Sequence, residues 1–142
     1  MMPYTYLEHT ADIGIRAEGR TLREAVEAGA EAVFNVMFDC ETIKETSKAE
    51  ISANAGTAET LFVETINELL SIQDRDSLAL KRFVVEEIIM SGPELRLKGI
   101  AYGEPFDSTR HMTKTEVKAA TYAGLSYRCV DNEHVLECVL DV

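Results

Sequence analysis

Basic residues are scarce in this chain: 14 Lys and Arg stand against 25 Asp and Glu, for a formal net charge of −11. Nucleic-acid binders draw much of their affinity from neutralising phosphates, so strong direct binding to RNA or DNA is not expected. The longest basic cluster is Lys81-Arg82. Such an acidic surface suits cations or a basic protein partner. Cysteine is sparse too. Cys40, Cys129 and Cys138 are odd in number and lack metal-type spacing, which argues against a disulfide frame or a zinc site and for reduced thiols in a cytoplasmic setting. Cys129 and Cys138 can approach across a final hairpin, although small buried hydrophobes are the simpler reading. No run of about 18 apolar residues exists, so no membrane span is expected. Met1-Met2-Pro3-Tyr4 has neither the basic nor the apolar region of a signal peptide. The phosphate-loop pattern and the nucleophile elbow are also missing, and His9, His111 and His134 are too scattered for a triad. Nothing here builds a self-sufficient active site.

What is present describes one folded unit. With 142 residues and 46% apolar content, the chain predicts a single domain over residues 1–142. Residues 4–10 and 13–18 read as two short strands meeting near Asp12. Thr21-Leu22-Arg23-Glu24 has capping-box form. Leu22, Ala25, Val26, Gly29, Val33, Val36 and Met37 recur at helical spacing, so a helix runs to about Phe38, with Glu24, Glu27 and Glu31 on a solvated face. A strand follows over residues 48–53, then a helix capped by Thr57 with Phe62, Ile66, Leu69 and Gln73 on one face. Leu61, Val63, Leu70 and Ile72 spread round its other side, which predicts packing on two sides. Residues 80–90 and 95–102 read as strands around Ser91-Gly92-Pro93, and residues 117–130 and 134–141 as a final hairpin around Asp131-Asn132. The expected architecture is an α+β fold with two helices packed on a mostly antiparallel sheet.

Two acidic residues stand out by position. Asp is a poor strand interior residue, yet Asp12 sits between two apolar runs. From that segment alone an Asx-type turn accounts for it. Asp141 lies at the other extremity, where fraying is the plain expectation. If the first and last strands end side by side, Asp12, Asp141 and the terminal carboxylate of Val142 supply three negative groups. Oxygen-only ligands favour Ca²⁺ or Mg²⁺ over zinc. Lys118, in Glu116-Val117-Lys118, reads as a structural ion pair or a functional charge. The loop over residues 106–114, with Asp107, Arg110, His111 and Lys114, is long enough to move and to carry contacts.

Several motifs then fall into one pattern. Glu8-His9-Thr10-Ala11-Asp12-Ile13-Gly14-Ile15, Phe34-Asn35-Val36-Met37 with Asp39 after it, Gly103-Glu104, Thr115-Glu116-Val117-Lys118-Ala119-Ala120-Thr121-Tyr122 and Leu140-Asp141-Val142 resemble the archease family across essentially the whole chain. Two departures are Ala123, where many members carry His after the Thr-Tyr pair, and Asp39-Cys40, which keeps the Asp but alters the stretch around it. The resemblance implies a strand–helix–strand–strand module with a helical insertion. It implies an accessory protein, not an enzyme, that activates an RtcB-type RNA ligase in tRNA splicing and RNA repair by promoting ligase guanylylation and multiple turnover. It makes Asp12, Asp141 and Val142 ligands of a divalent ion, Ca²⁺ foremost, with Mg²⁺ or Mn²⁺ as alternatives. Lys118, Glu104, Asp39, Glu116 and His9 become charged neighbours of that site. The competing expectation is a chaperone or adaptor for a tRNA-modifying enzyme such as a tRNA methyltransferase. Self-association is left open.

Overall fold

The computed structural model describes residues 3–8 and 12–142, with the backbone alone for Glu8. Among these, the elements in chain order are strand β1 (Tyr4–Glu8), strand β2 (Asp12–Gly19), helix α1 (Leu22–Met37), a 3₁₀ turn (Cys40–Thr42) and strand β3 (Ser47–Ala55). Helix α2 (Ala58–Arg75) and strands β4 (Leu78–Ile89), β5 (Leu95–Pro105), β6 (Ala119–Val130) and β7 (Glu133–Asp141) follow. All strand pairs are antiparallel, as expected, but they form two sheets rather than one: β1-β2-β7-β6 and β3-β5-β4. Helix α1 packs on β2 of the first sheet and β4 of the second, and α2 packs on β6 and β3. The helices therefore sit between the sheets. That position explains their composition, because a helix covered on two sides must be apolar over more than half its circumference. Ala25, Ala28, Gly29, Ala30 and Ala32 of α1 are all buried, as are Leu61, Phe62, Val63, Ile66 and Leu69 of α2. The small side chains of α1 let the helices approach closely. A Cβ on Gly29 would stand 2.3 Å from the Phe62 ring.

Local signals place the helix starts. Thr57 and Thr60 form a reciprocal capping box at α2. At α1, Thr21 Oγ1 accepts the Glu24 amide at 3.1 Å, but Glu24 Oε2 accepts from Arg20 N at 3.0 Å instead of from Thr21. The expected box is thus opened by one residue. Glu27 is not simply solvated either. Its Oε2 accepts the Val85 amide at 2.8 Å, while Arg23 donates to the carbonyls of Val85 and Glu86. These bonds fall at an irregularity of β4, where the pairing shifts between Val85 and Glu87. Side chains of α1 thereby satisfy the exposed edge of β4, groups that otherwise invite strand addition. Asn67 of α2 does the same for the β6 edge, accepting Ala120 N at 2.8 Å and donating to Ala120 O at 3.2 Å.

The last hairpin differs from the expected continuous pair. Strand β6 begins at Ala119, so Lys118 lies just outside it, and the register breaks between Thr121 and Ser126. Gly124 takes φ +64° there, a left-handed value that suits glycine. Ala123, where the resemblance leads one to expect His, is exposed in this irregular stretch. Cys129 and Cys138 do not meet. Cys129 is exposed opposite His134, whereas Cys138 is buried opposite Ile15 of β2.

Candidate functional site

The two ends of the chain meet at one rim. In the β2–β7 register Asp12 stands directly opposite Asp141, one step beyond Ile13 and Leu140. Alternation sends Leu136, Cys138 and Leu140 into the core and leaves Asp141 exposed on the outer face. Four residues further along that face, Arg16 and Glu137 are also register partners, and Arg16 Nε lies 2.6 Å from Glu137 Oε1. The Arg16 guanidinium holds the Glu137 carboxyl below its usual range, aided by Ser126 and Arg128. On that face, with Gly14 opposite Val139 between them, one charged cross-strand pair is therefore of opposite sign and the other of like sign. Like charges directly opposed destabilise a sheet, so Asp12 and Asp141 make a pairing that favours an added cation. Val142 follows directly. Lys118 is brought to the same place by its backbone, which donates to Asp141 O at 2.8 Å.

Asp39 and Glu116 approach this end from other elements. Helix α1 has 16 residues and β2 has eight. At about 1.5 Å and 3.3 Å per residue both run roughly 25 Å, so a helix that folds back along β2 finishes level with Asp12. Phe38 leaves α1 with extended backbone, and Asp39 then caps the 3₁₀ turn, its Oδ1 accepting Glu41 N at 3.2 Å. Its amide donates to Met112 O at 2.9 Å. The Asp39 carboxylate is thus engaged in local turn geometry. Glu116 is exposed in the segment leading to β6. His9 lies outside the described residues.

Glu104 belongs to a different cluster. Near the end of β5 it is 5% exposed, and its carboxylate accepts the Lys44 amide and pairs with Arg110. Nε2 of His111, itself 4% exposed, faces Glu104 Oε2 at 3.4 Å. His111 Nδ1 accepts the Asp107 amide at 2.9 Å, which places the ring proton on Nε2 in the neutral form. Burial, followed by the neighbouring Arg110 charge, pushes the His111 pKa below its ordinary value. Sequence reasoning noted Arg110 and His111 only as part of a loop long enough to move, and it missed Lys44. The loop is instead fastened along its length. Asp107 forms a turn with Thr109, and Lys114 and Thr115 donate to Met37 O and Val36 O at 2.8 and 3.1 Å. A polar loop with this many main-chain bonds looks, in sequence, no different from a free one.

Between α1, α2 and the segment before β6 lies a groove of about 890 Å³, with Met37, Leu70, Leu78, Phe106 and Val117 along it and Lys118 at its margin. Among the described residues no three His, Cys, Asp or Glu side chains converge as a metal centre. The rim therefore offers two side-chain carboxylates and the main-chain oxygens of Val142, an all-oxygen set fit for a hard cation but short of the six to eight ligands Ca²⁺ takes. Water or a partner would have to complete such a site.

Residues 4–142 match the model of the Archease protein family (MTH1598/TM1083). The chain belongs to the archease family. Among its curated relatives, the protein archease of Sulfurisphaera tokodaii is 37% identical over 142 residues, and that of Sulfolobus acidocaldarius is 38% identical over 142, each alignment covering 100% of both chains. Among solved structures, the solution structure of Methanobacterium thermoautotrophicum protein 1598 superposes with a TM-score of 0.88 at 29% identity, covering 100% of both chains. A crystal structure of a Thermotoga maritima archease, described as a possible chaperone, gives a TM-score of 0.60 at 22% identity over 96% of this chain and 94% of that one, a likeness of fold. The archease fold is thus shared along the whole length. No helix among the described residues is long and apolar enough to cross a membrane.

Proposed function

We propose that this archease is an accessory protein that activates an RtcB-type RNA ligase in tRNA splicing and RNA repair, acting through a divalent cation held at the Asp12–Asp141 rim. The observation that carries the reading is the direct opposition of Asp12 and Asp141 across β2 and β7. Asp12, Asp141 and the main-chain oxygens of Val142 would hold the ion, Ca²⁺ foremost, with Mg²⁺ or Mn²⁺ as alternatives. When bound, such an ion supplies positive charge that offsets phosphate charge, the dominant electrostatic demand in guanylate and phosphoryl transfer. Asp12 and Asp141 position that charge at an exposed rim. Lys118 adds a second positive group beside Asp141, and the surrounding acidity steers the chain toward a basic partner surface. Transient docking then suffices for multiple turnover, with ligase chemistry left to the ligase.

The test mixes the purified chain with a cognate ligase, GTP and RNA bearing a 3′-phosphate. Wild type is expected to raise ligase guanylylation and turnover, and Asp12→Ala, Asp141→Ala and Lys118→Ala are expected to lose that gain while still folding. No gain with wild type overturns the reading. If the three variants keep full activity while the chain preserves partner solubility, the role passes to a chaperone or adaptor for a tRNA-modifying enzyme such as a tRNA methyltransferase.

A further inference from the structure

Strand β6 is the outer strand of its sheet, so its free edge needs partners from elsewhere. Ala119, Ala120 and Thr121 pair with Asp141, Leu140 and Val139 before the register breaks, and pairing resumes at Ser126. The piece of β6 beside the acidic rim is thereby cut off from the rest of the hairpin. A pairing at the lower limit of strand length holds weakly by itself. Side chains fasten this one from both edges. Asn67 Oδ1 accepts the Ala120 amide at 2.8 Å, and Asn67 Nδ2 donates to Ala120 O at 3.2 Å. One side-chain amide thus gives Ala120 both bonds that a neighbouring strand would exchange with it. On the other edge Thr121 Oγ1 donates to Val139 O at 2.9 Å. The Tyr122 hydroxyl donates to Glu64, one turn earlier on α2 than Asn67. Thr65, Ile66 and Leu69 are buried around Asn67, so its amide is carried by a packed helix rather than by a loop.

We propose that Asn67 is a positioning residue for the rim. It fixes the pairing of Ala119 with Asp141, and with it the place of Lys118, whose amide donates to Asp141 O at 2.8 Å. Lys118 and Asn67 line the same groove, one at its margin and the other on its α2 wall. This role rests on the proposed reading of the rim as a divalent-cation site, and Asn67 itself does not touch the ion. Without the amide, water takes over the outward groups of Ala120 and the short pairing frays from its free edge. Asp141 and the main-chain oxygens of Val142 are then in place for a smaller fraction of the time. The apparent affinity for the ion falls by that fraction, while excess ion draws the assembled form back. Loss of Asp12 or Asp141 differs in kind, because it removes a ligand.

The test uses the full chain with Asn67→Ala, a change that α2 accepts because Ala is the better helix former. Asn54→Ala is the control, since Asn54 bonds Glu94 on an exposed edge of the other sheet. Amide exchange in EDTA reads the pairing with no ion present. Relative to the Leu136 and Cys138 amides of β7, those of Ala120 and Lys118 should exchange about tenfold faster in Asn67→Ala, the factor that one hydrogen bond of ordinary net strength carries. Calorimetry should then show Ca²⁺ affinity weakened about tenfold at unchanged stoichiometry. Ligase guanylylation should reach the wild-type maximum once Ca²⁺ is raised by the same factor. Asn54→Ala should match wild type throughout. Unchanged exchange at Lys118, or unchanged Ca²⁺ affinity beside faster exchange, overturns the role of Asn67. A lower maximum at saturating Ca²⁺ overturns it too, because positioning alone leaves the maximum intact. A wild-type chain that binds no Ca²⁺ overturns the reading of the rim instead, and the exchange ratio still decides whether Asn67 holds Lys118 in place.

Discussion

Replacing Asp12 with Asn is expected to stabilise the ion-free protein and destabilise it, relative to wild type, once a divalent cation is present. Directly opposed residues of an antiparallel pair have Cβ atoms about 5 Å apart. Two unit charges at that distance repel by ~0.8 kcal/mol in water. The water value applies because Asp141 is exposed and Asp12 partly so. A Debye length of about 8 Å at physiological salt cuts this to ~0.4 kcal/mol. Asp12→Asn removes the repulsion and keeps the shape, so the melting temperature in EDTA should rise by roughly 1 °C. A ligand present at 100 times its Kd contributes about 2.7 kcal/mol to the form that binds it. Wild type should therefore gain on the order of 8 °C with saturating Ca²⁺, and the variant far less. Scanning calorimetry with EDTA and with a Ca²⁺ series gives both quantities. Two curves that never cross, or a variant that gains as much as wild type, would refute the electrostatic argument.

Two further outcomes follow from the Glu104 cluster. Glu104→Ala leaves the Lys44 amide without its acceptor and should cost about 2–3 kcal/mol in urea unfolding. Its coupling to Arg110→Ala in a double-mutant cycle should stay below ~1 kcal/mol, because Arg110 is 42% exposed and solvent screens that half of the pair. His111 gives a pH signature. Its folded pKa lies below the ordinary 6.5, so on acidification the unfolded chain takes the proton first. The stability this group contributes is whole above about pH 6.5 and is lost as pH falls through the lower folded value. Chemical unfolding from pH 7.5 to 5 should show that slope in wild type, and His111→Gln should flatten it.

Element type was readable wherever one side chain meets one environment. Thr57 announced its helix, and the alternation of Leu95 and Leu97 with Arg96 and Lys98 matched the one wet face of β5. The split into two sheets was not readable, because alternation says which face is buried but not which strand lies alongside. The breadth of the α2 apolar face did imply two-sided packing, and the helix layer between sheets is its cause. At the rim, the opposition of Asp12 and Asp141 depended on pairing between residues 129 apart in sequence, which no local pattern encodes. Glu27 and Asn67 were misjudged or overlooked for a related reason. A carboxylate or amide that caps a distant strand edge looks, in sequence, like one that faces water.

The segment between Glu104 and Asp141 ties the two charged clusters into one construction. Glu104 anchors Arg110 and the Lys44 amide, and Met112 O, Lys114 N and Thr115 N are bonded in turn to Asp39, Met37 and Val36 at the end of α1. Lys118 N then closes on Asp141 O. Beyond the two side-chain links of Glu104, the bonds named here are main-chain bonds, so that part of the path tolerates changes of surface side chain but not changes of backbone course. Glu104 stands at the start of this path. Loosening its carboxylate is expected to free the start of a strap whose far end holds the Lys118 backbone against Asp141. A rim assembled this way exists only in the folded chain, and its geometry is as firm as the least protected hydrogen bond along that strap.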